Sequence, residues 1–517
     1  MAELTFEGGL NQQDISLVNP AECIDGYNFE LGSRNTHYNP RKPFDLKGTA
    51  TNASSINGFI QLIKQDDTET TLIQSGDTVY QVDSDWVFTS RGTVNASSRL
   101  RGTSWELGGY SVITDLTKAT AVKKWDGTSL TTLTTGLGDS LFAKYGIVHL
   151  GRMWLFNVKA GVDTPHLLAA SEYENPESYD TAKRAKDSSF TTGSEAFYMT
   201  MPDLKPINGV ALFYGTLVIS TEKGSLWKLT GTDSQDFTLS PFYSGSAAVG
   251  NETMSSIGDD VVYMKKDGNI ESLIASDKFG DTATDDLSRW IRSTTSGLTS
   301  CITVYDQTRQ KVYFFAGSNK LLVLFKDMQE TSLSPWSTYR TDHTGSYSTN
   351  AAIYMRELGG DNYCVYWGDS TGNIYQMDGT GNGDGGTTSI SVTRKSRLFD
   401  QVEKQDGTVF NSNTEILRGR VYYRRVSDID LLMDVEWADD YSVNRCTVPL
   451  DGPATGDTAS YFGGSSYFGG NFWFNTGFQF TQRTSTKGFS AIGRGPGFYI
   501  TLALQSTQAF DIMKVVV

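Results

Sequence analysis

A short pattern of apolar and polar positions recurs along the middle of the chain: an apolar residue, two of any kind, a second apolar residue, then usually an acidic or glycine turn. It reads as Val79-Tyr80-Gln81-Val82-Asp83, Val122-Lys123-Lys124-Trp125-Asp126-Gly127 and Leu226-Trp227-Lys228-Leu229-Thr230-Gly231. It continues as Ile270-Glu271-Ser272-Leu273, Leu322-Val323-Leu324-Phe325-Lys326-Asp327 and Ile374-Tyr375-Gln376-Met377-Asp378-Gly379. First positions lie 43, 104, 44, 52 and 52 residues apart, and the long interval is twice 52, which places a diverged copy near Leu167-Leu168-Ala169-Ala170-Ser171. Periods of ~40 to 50 residues with several short strands each mark β-propeller blades, whose sheets cannot bury both faces alone and pack radially. The spacing predicts about seven blades by that rule; the alternative is an unrelated set of β-hairpins in sandwiches.

The segments between the markers read the same way. The run from Gly209 to Ser220 is two strands joined at a turn, and Lys311-Val312-Tyr313-Phe314-Phe315 is apolar enough for a strand covered on both faces. Asp126-Gly127, Asp267-Gly268 and Asp378-Gly379, with Gly268-Asn269 and Gly372-Asn373, supply the positive backbone angles of tight hairpins. From Gly379 to Gly386 the chain is glycine-rich with nothing to bury, a hinge-like linker. Beyond it, Ile416 to Tyr423 and Phe498 to Leu504 read as strands of an antiparallel sandwich. The last residues, Ile512 to Val517, are apolar and are expected to pair in a sheet or at a subunit contact. The predicted organisation is all-β: an N-terminal arm over 1–48, a β-propeller over 49–378, a linker over 379–390 and a C-terminal β-sandwich-like platform over 391–517. The arm, with Pro20, Pro40 and Pro43 and no strand marker, is expected to lie outside the propeller and pack on the platform, anchored by Cys23-Ile24 and Tyr27-Asn28-Phe29.

Composition sharpens this picture. Gly 52, Tyr 25, Phe 27 and Trp 10 favour strands and turns and leave little for helices. Lys+Arg 44 against Asp+Glu 59 gives a net charge of -15, which repels a phosphate backbone and argues against sequence-specific nucleic-acid binding. Cys23, Cys301, Cys364 and Cys446 are far apart and fit free thiols of a reduced cytoplasm. No stretch approaches the ~18 consecutive apolar residues of a membrane span, and the amino terminus lacks a basic region ahead of an apolar one, so a soluble chain is expected.

Catalytic chemistry finds few candidates. His37, His149, His166 and His343 are isolated, and the HExxH pair, the Gly-x-Ser-x-Gly elbow and the Walker pattern are missing. The Gly-x-Gly-x-x-Gly match from Gly381 to Gly386 opens onto the strand-like Ser389-Ile390-Ser391-Val392 rather than a phosphate-binding helix. Acidic pairs such as Asp259-Asp260 or Asp285-Asp286 are open to a glycosidase reading, since its two acids can come from distant blades, but most acids in so acidic a chain are solvated turns. Asp369-Ser370-Thr371-Gly372-Asn373 is better read as a turn than as half a calcium loop. No catalytic residue, metal set or cofactor is assigned. The tandem Tyr461-Phe462-Gly463-Gly464 and Tyr467-Phe468-Gly469-Gly470, followed by Phe472-Trp473-Phe474, concentrates aromatic rings. It is either an interface or a hairpin core with close strand approach. Interface candidates are therefore Tyr461, Phe462, Tyr467, Phe468, Phe472 and Trp473, with Tyr27 and Phe29 in the arm.

Short motifs in a fixed order resemble those of tail hub or nozzle proteins of short-tailed bacteriophages. Phe6-Glu7-Gly8-Gly9-Leu10-Asn11, Pro20, Gly26-Tyr27-Asn28-Phe29 and Arg41-Lys42-Pro43-Phe44 are similar to the opening of many podovirus tail proteins. Ala170 to Tyr179 is similar to the acidic-x-Pro segment that ends a blade in that family, followed in order by Ile207-Asn208-Gly209, Leu226 to Gly231, Val261-Val262-Tyr263-Met264 and Gly268-Asn269-Ile270. The resemblance implies a non-enzymatic virion protein, made in the host cytoplasm and built into the tail as a closed ring, commonly a hexamer. That ring extends the DNA channel below the portal and adaptor, meets tail fibre or tailspike proteins, and retains the genome until ejection. An acidic wall suits such a conduit because it prevents phosphate contacts from trapping DNA. The competing functions are a receptor- or carbohydrate-binding propeller and an envelope-degrading glycosidase.

Overall fold

A computed structural model describes residues 3–4, 7–13, 18–19, 21–31, 39–136, 140–182, 191–245, 247–258, 260–273, 285–317, 320–329, 332–340, 349–380, 384–385 and 390–396, and beyond these the backbone of ten strands between 401 and 516. Six four-stranded antiparallel sheets follow one another along the chain. Blade 1 runs from Ile56–Ile63 to Phe88–Thr93, blade 2 from Leu100–Trp105 to Leu130–Thr132 and blade 3 from Leu141–His149 to Phe197–Thr200. Blade 4 runs from Ile207–Phe213 to Thr238–Ser244, blade 5 from Met254–Ser256 to Asp285–Asp286 and blade 6 from Ile302–Asp306 to Trp336–Tyr339. Blade 7 consists of Ala351–Arg356, Tyr363–Gly368, Asn373–Gln376 and, as its outermost strand, Asp45–Thr49 from the start of the chain. The first strand of each blade packs on the first strand of the next, and that of blade 7 on that of blade 1, so the seven-bladed ring is closed.

Every copy of the sequence pattern is the third strand of its blade, and the diverged copy at Leu167 to Ala170 ends the third strand of blade 3, Val162–Ala170. The pattern exists because a third strand is flanked by two others and meets the neighbouring blades with both faces. Blade 3 weakens it because its second hairpin projects: Val162 is 76% exposed, while Leu168 and Ala169 are buried. Separate clusters of buried side chains fill the interfaces between successive blades from 7 round to 5, each cluster joining side chains of two neighbouring blades. Blades 5 and 6 and one face of blade 7 share a single larger cluster that also takes in Leu10, Cys23, Phe29, Leu31 and Phe44 of the arm and Ile390 and Val392 beyond the propeller. Between blade 4's first two strands, Tyr214 and Gly215 take φ of 47° and 71°, the left-handed pair that a two-residue hairpin requires.

Two expectations change here. Residues 45–48 belong to the propeller rather than to the arm: in the strand Asp45–Thr49, Thr49 faces Asn373 and Asp45 faces Gln376 across the seam of blade 7. Their sequence lacks an apolar marker because an outermost strand has one open edge and shallow cover, and Leu46 is 45% exposed. Asp378-Gly379, expected in a hairpin, instead leads the chain out of blade 7; Asp378 does take a positive φ of 52°, but its carboxylate is buried.

Outside the ring, two antiparallel sheets form the sandwich-like platform. One orders Glu3–Leu4, Asp511–Val516, Gly419–Arg425 and Arg483–Phe489; the other orders Cys23–Tyr27, Ile390–Ser396, Gly497–Ser506, Leu431–Ala438 and Val443–Leu450. Both thus contain strands from the two ends of the chain, and the last strand, Asp511–Val516, pairs on both sides.

The seam gives the first prediction. In hydrogen exchange, a chain starting at Asn39, which retains Arg41 and the closing strand, keeps protection at the amides of Asn373–Gln376, whereas one starting at Ala50 loses it. Equal protection in both would exclude a closing role for Asp45–Thr49.

Candidate functional site

Among the described residues, many buried polar groups gather at the junction of arm, propeller and platform. Blade 6 would end at Trp336–Tyr339, a strand with an open edge, but the arm covers it: Gly9 N donates to Ser334 O at 2.7 Å, Leu10 N to Trp336 O at 2.7 Å and Asn28 N to Thr338 O at 2.7 Å. Leu10 in turn bridges Cys23, whose strand pairs with Ile390–Ser396 of the platform. Backbone hydrogen bonds therefore run from blade 6 through the arm into the platform. Only glycine fits at position 9, where an added Cβ would lie 2.8 Å from both Ser334 O and Leu31 Cδ1.

Side chains lock this arrangement. Glu22, 2% exposed, accepts from Asn11 Nδ2 at 2.7 Å, Asn19 N at 2.8 Å and Ser334 N at 2.5 Å. Arg394 of the platform strand donates to Gly8 O and Ala21 O of the arm, both at 2.6 Å, with its guanidinium 5.2 Å from the Phe29 ring. Arg41 is wholly buried: its Nη1 donates to Asp384 Oδ1 at 2.8 Å, its Nη2 to Asp384 Oδ2, and its Nε to Asn28 Oδ1 at 2.9 Å. Phe44 N adds a bond to Asp384 Oδ1 at 3.0 Å. The segment read as a hinge-like linker is accordingly tied down at each of its described residues. Gly379 N reaches Pro43 O at 2.8 Å, Thr380 N reaches Asp45 Oδ2 at 3.0 Å, and Gly385 N reaches Phe44 O at 2.8 Å.

A second charged group lies beside it. Glu30 of the arm accepts from Lys311 Nζ at 2.7 Å and Tyr339 Oη at 2.7 Å; Asp378 accepts from Arg309 Nε at 3.1 Å, Tyr313 Oη at 3.1 Å and Lys311 Nζ at 3.5 Å. Burial alone would raise the Asp378 carboxyl, but Lys311 and Arg309 outweigh it and hold it below its ordinary value. Burial would lower Lys311, and Asp378 with Glu30 raises it instead. Burial pushes the Tyr313 and Tyr339 phenols well up and the Cys23 thiol up to about 12, so none of these ionises near neutrality.

At the propeller axis, Arg101 of blade 2 pairs with Glu252 at the start of blade 5, and Arg99 Nη1 lies 3.5 Å from the same carboxylate. Arg101 also donates to Asn57 O of blade 1 at 2.8 Å, and Arg99 to Asn350 O ahead of blade 7 at 2.9 Å. Blades 2 and 5 stand across the ring from each other, so these side chains meet over the axis at the end where the first strands begin.

The acids weighed for catalysis have local tasks. Asp260 accepts from Ser272 Oγ and from Val261 N at 2.6 Å, and burial raises its carboxyl; Asp259 lies outside the described residues. Asp286 caps the short turn Leu287–Trp290 through Ser288 N at 3.0 Å and pairs with Arg292 at 2.5 Å, while Asp285 is 3.5 Å from Arg289. Asp369 Oδ1 accepts from Thr371 N and Asn373 N at 2.8 Å each, closing its own turn. Among the described residues, no group of three His, Cys, Asp or Glu side chains could hold a metal ion, and no helix is long and apolar enough to cross a membrane.

Of the interface candidates, Tyr27 pairs with Thr393 of the platform and is half-buried, with Arg340 4.4 Å from its ring; Phe29 is wholly buried inside the chain. Tyr461, Phe462, Tyr467, Phe468, Phe472 and Trp473 lie outside the described residues. Sequence reasoning noticed Arg41 and the Gly-rich run but not their joining. The available signal was the lone acid, Asp384, among glycines with nothing else to bury.

No protein-family model matches the chain, and no curated protein matches it. Among solved structures it is similar to virginiamycin B lyase from Staphylococcus aureus, with 11% identity and a TM-score of 0.43 over 64% of this chain and 98% of that one. It is also similar to a streptogramin B lyase (8% identity, TM-score 0.42, 65% of this chain and 97% of that one). A third is the β-propeller domain of Myceliophteria thermophila Cps50 (11% identity, TM-score 0.39, 65% of this chain and all, 100%, of that one).

Two predictions follow from the junction. Arg41→Ala strands the Asp384 carboxylate in the interior and lowers stability by about 3–5 kcal/mol in urea denaturation, and Arg41→Lys, which lacks the fork that holds both oxygens, recovers only a minor part. Equal stability of wild type and Arg41→Ala would remove the pair from the account. The second concerns pH, read as the difference in Tm between wild type and Asp378→Asn. Because the folded carboxyl is depressed, its contribution is complete above about pH 4 and disappears as pH falls through the depressed value. Because Lys311 is raised, its share is complete below about pH 10 and is lost as pH rises through the raised value. The difference should therefore be flat from about pH 5 to 9 and shrink on either side. A difference that grew on acidification would contradict this network.

Proposed function

We propose that the chain is a non-enzymatic structural component of a phage tail, a hub or nozzle subunit that assembles with its own copies into a ring around a DNA channel. The observation that carries this reading is the continuity of blade 6, arm and platform, which ties propeller and chain ends together through backbone hydrogen bonds. A unit of this kind suits load-bearing assembly, where relative motion of propeller and platform would loosen a ring. The pairing of Arg99 and Arg101 with Glu252 across the propeller axis supports the same reading. A propeller filled there serves as wall, and the conduit then belongs to the space enclosed by several copies. The net charge of -15 favours passage of DNA without adhesion. An adaptor above and fibres or spikes below are the partners this role calls for, with the virion tail as its place.

The test is negative-stain electron microscopy of the purified protein alongside light scattering. Closed, rotationally symmetric rings of uniform copy number are expected. Monomers at all concentrations, with no label on tails in immunolabelled particles, would discard the ring and favour a receptor- or carbohydrate-binding propeller; release of sugar from envelope polysaccharide would favour a glycosidase.

A further inference from the structure

Besides the apolar cluster between them, blades 2 and 3 are joined by a contact of three side chains. Lys118 stands in the turn that links the second strand of blade 2, Tyr110–Asp115, to the third, Lys123–Trp125. It reaches across to the projecting hairpin of blade 3, where its Nζ donates to Asn157 Oδ1 at 2.7 Å and to Asp163 Oδ1. Asn157 is 3% exposed and the Lys118 side chain 9%, whereas the Asp163 side chain, at 55%, opens to solvent.

Each of the three is positioned by something other than this contact. Asp115 accepts from Thr117 N at 3.0 Å and Ala119 N at 2.9 Å, the amides on either side of Lys118, which fixes the base of the lysine stem. Asn157 sits at the break in register between Phe156 and Val158, where a strand irregularity re-aims a side chain. Its Nδ2 donates to Ile207 O of blade 4 at 2.8 Å, so the carboxamide is held with its oxygen toward the lysine. Lys159, directly opposite Asp163 across the hairpin, lies over the Phe142 ring at 5.2 Å and leaves Asp163 to Lys118. Lys118 and Asn157 both take a positive φ, 56° and 55°, which is uncommon outside glycine. An ion pair of Lys118 with Asp163 makes no use of the buried carboxamide, yet two unfavourable backbone positions bring amine, carboxamide and carboxylate together.

We propose that Lys118 and Asn157 form an intramolecular amide bond that staples blade 2 to blade 3, with Asp163 as the proton carrier. Lys118 Nζ passes one proton to Asp163, and the neutral amine attacks Asn157 Cγ as the carbonyl electron pair moves onto Oδ1. A second proton passes from Nζ to Nδ2, the carbonyl re-forms, and the Cγ–Nδ2 bond breaks to release ammonia. The ammonia takes the proton held by Asp163 and departs as ammonium on the side where Asp163 meets solvent, which restores the carboxylate. No oxidant or co-reactant is needed. An amine already within hydrogen-bond distance of the carboxamide supplies the proximity that a bimolecular reaction lacks. The bond lies inside one chain, so it goes beyond the ring reading and stands or falls apart from it.

The experiment is mass spectrometry of the full chain, purified and incubated until its mass no longer changes. The intact mass should fall below the sequence mass by one ammonia, and a tryptic digest should contain a branched peptide joining the segments around Lys118 and Asn157. Lys118→Arg, which keeps the charge but lacks the amine, should show the full sequence mass and no branched peptide. Asp163→Asn should slow the mass change by about a hundredfold. A full sequence mass in the wild-type chain overturns the proposal, and that outcome requires no variant to fold. So does an ammonia loss that persists in Lys118→Arg, which would mean cyclisation of an asparagine elsewhere, or an unaltered rate in Asp163→Asn.

Discussion

The structure depends on a pairing made across most of the chain: Asp45–Thr49 with Asn373–Gln376. A ring of blades has no intrinsic end, and without this strand blade 7 would present three strands and an open edge while blade 1 lost a braced neighbour. Bringing those segments together costs on the order of 5 kcal/mol in loop-closure entropy from the logarithmic dependence on length. Backbone bonds of one short strand do not comfortably offset that. The buried Arg41–Asp384 pair sits at this seam, joining the residues that enter the closing strand to those that leave blade 7, and Pro43 O and Phe44 O accept from Gly379 N and Gly385 N on either side of it. The seam is thus where a desolvated ion pair is most useful. It favours the observed closure, in which both carboxylate oxygens meet one guanidinium.

Blade edges show the same constraint handled in different ways. The outer strand of blade 1 carries Arg91 and Gly92 in an exposed run, that of blade 4 is broken by Pro241 at a bulge, and that of blade 5 is two aspartates long. Charge, proline and brevity all discourage further pairing. Blade 6 is the exception. Its outer strand is buried at all four positions because the arm lies on it, and the arm is there because Gly9 permits the approach and Glu22 satisfies Ser334 N. Covering one edge with the chain's own N-terminal segment is what turns propeller and platform into a single body, so the asymmetry of the ring lies in its sheet edges rather than in its blade interiors.

The blade interiors were legible in the sequence because a third strand must be apolar toward two neighbours, a local demand that leaves a local mark at Val79, Val122, Leu226, Ile270, Leu322 and Ile374. Even the weak copy at Leu167 lies near the position that the spacing indicates. The seam and the junction were not legible, because their partners are hundreds of residues apart and each half looks ordinary. Arg41 stands out only within the motif Arg41-Lys42-Pro43-Phe44, Asp384 as part of a glycine-rich linker and Asp378 as a hairpin turn, and nothing near Glu30 marks it. Burial converts them, and burial is a property of the assembled ring. Glycine-rich composition misled in the same way: the run from Gly379 carries little to pack, yet its amides and one carboxylate suffice to fix it.

Charge distribution separates two uses of acidity in this molecule. At the junction and over the axis each buried carboxylate meets a cation or several donors, as Asp384, Asp378 and Glu252 do, and these pairs define geometry. In the hairpin turns, Asp66, Asp126 and Asp236 accept their own backbone amides, which lowers their carboxyls and keeps them ionised, so the turns act as fixed negative caps. Glu69 fits neither group. It is half-buried, raised by desolvation and short of donors, next to a guanidinium that two other acids already hold.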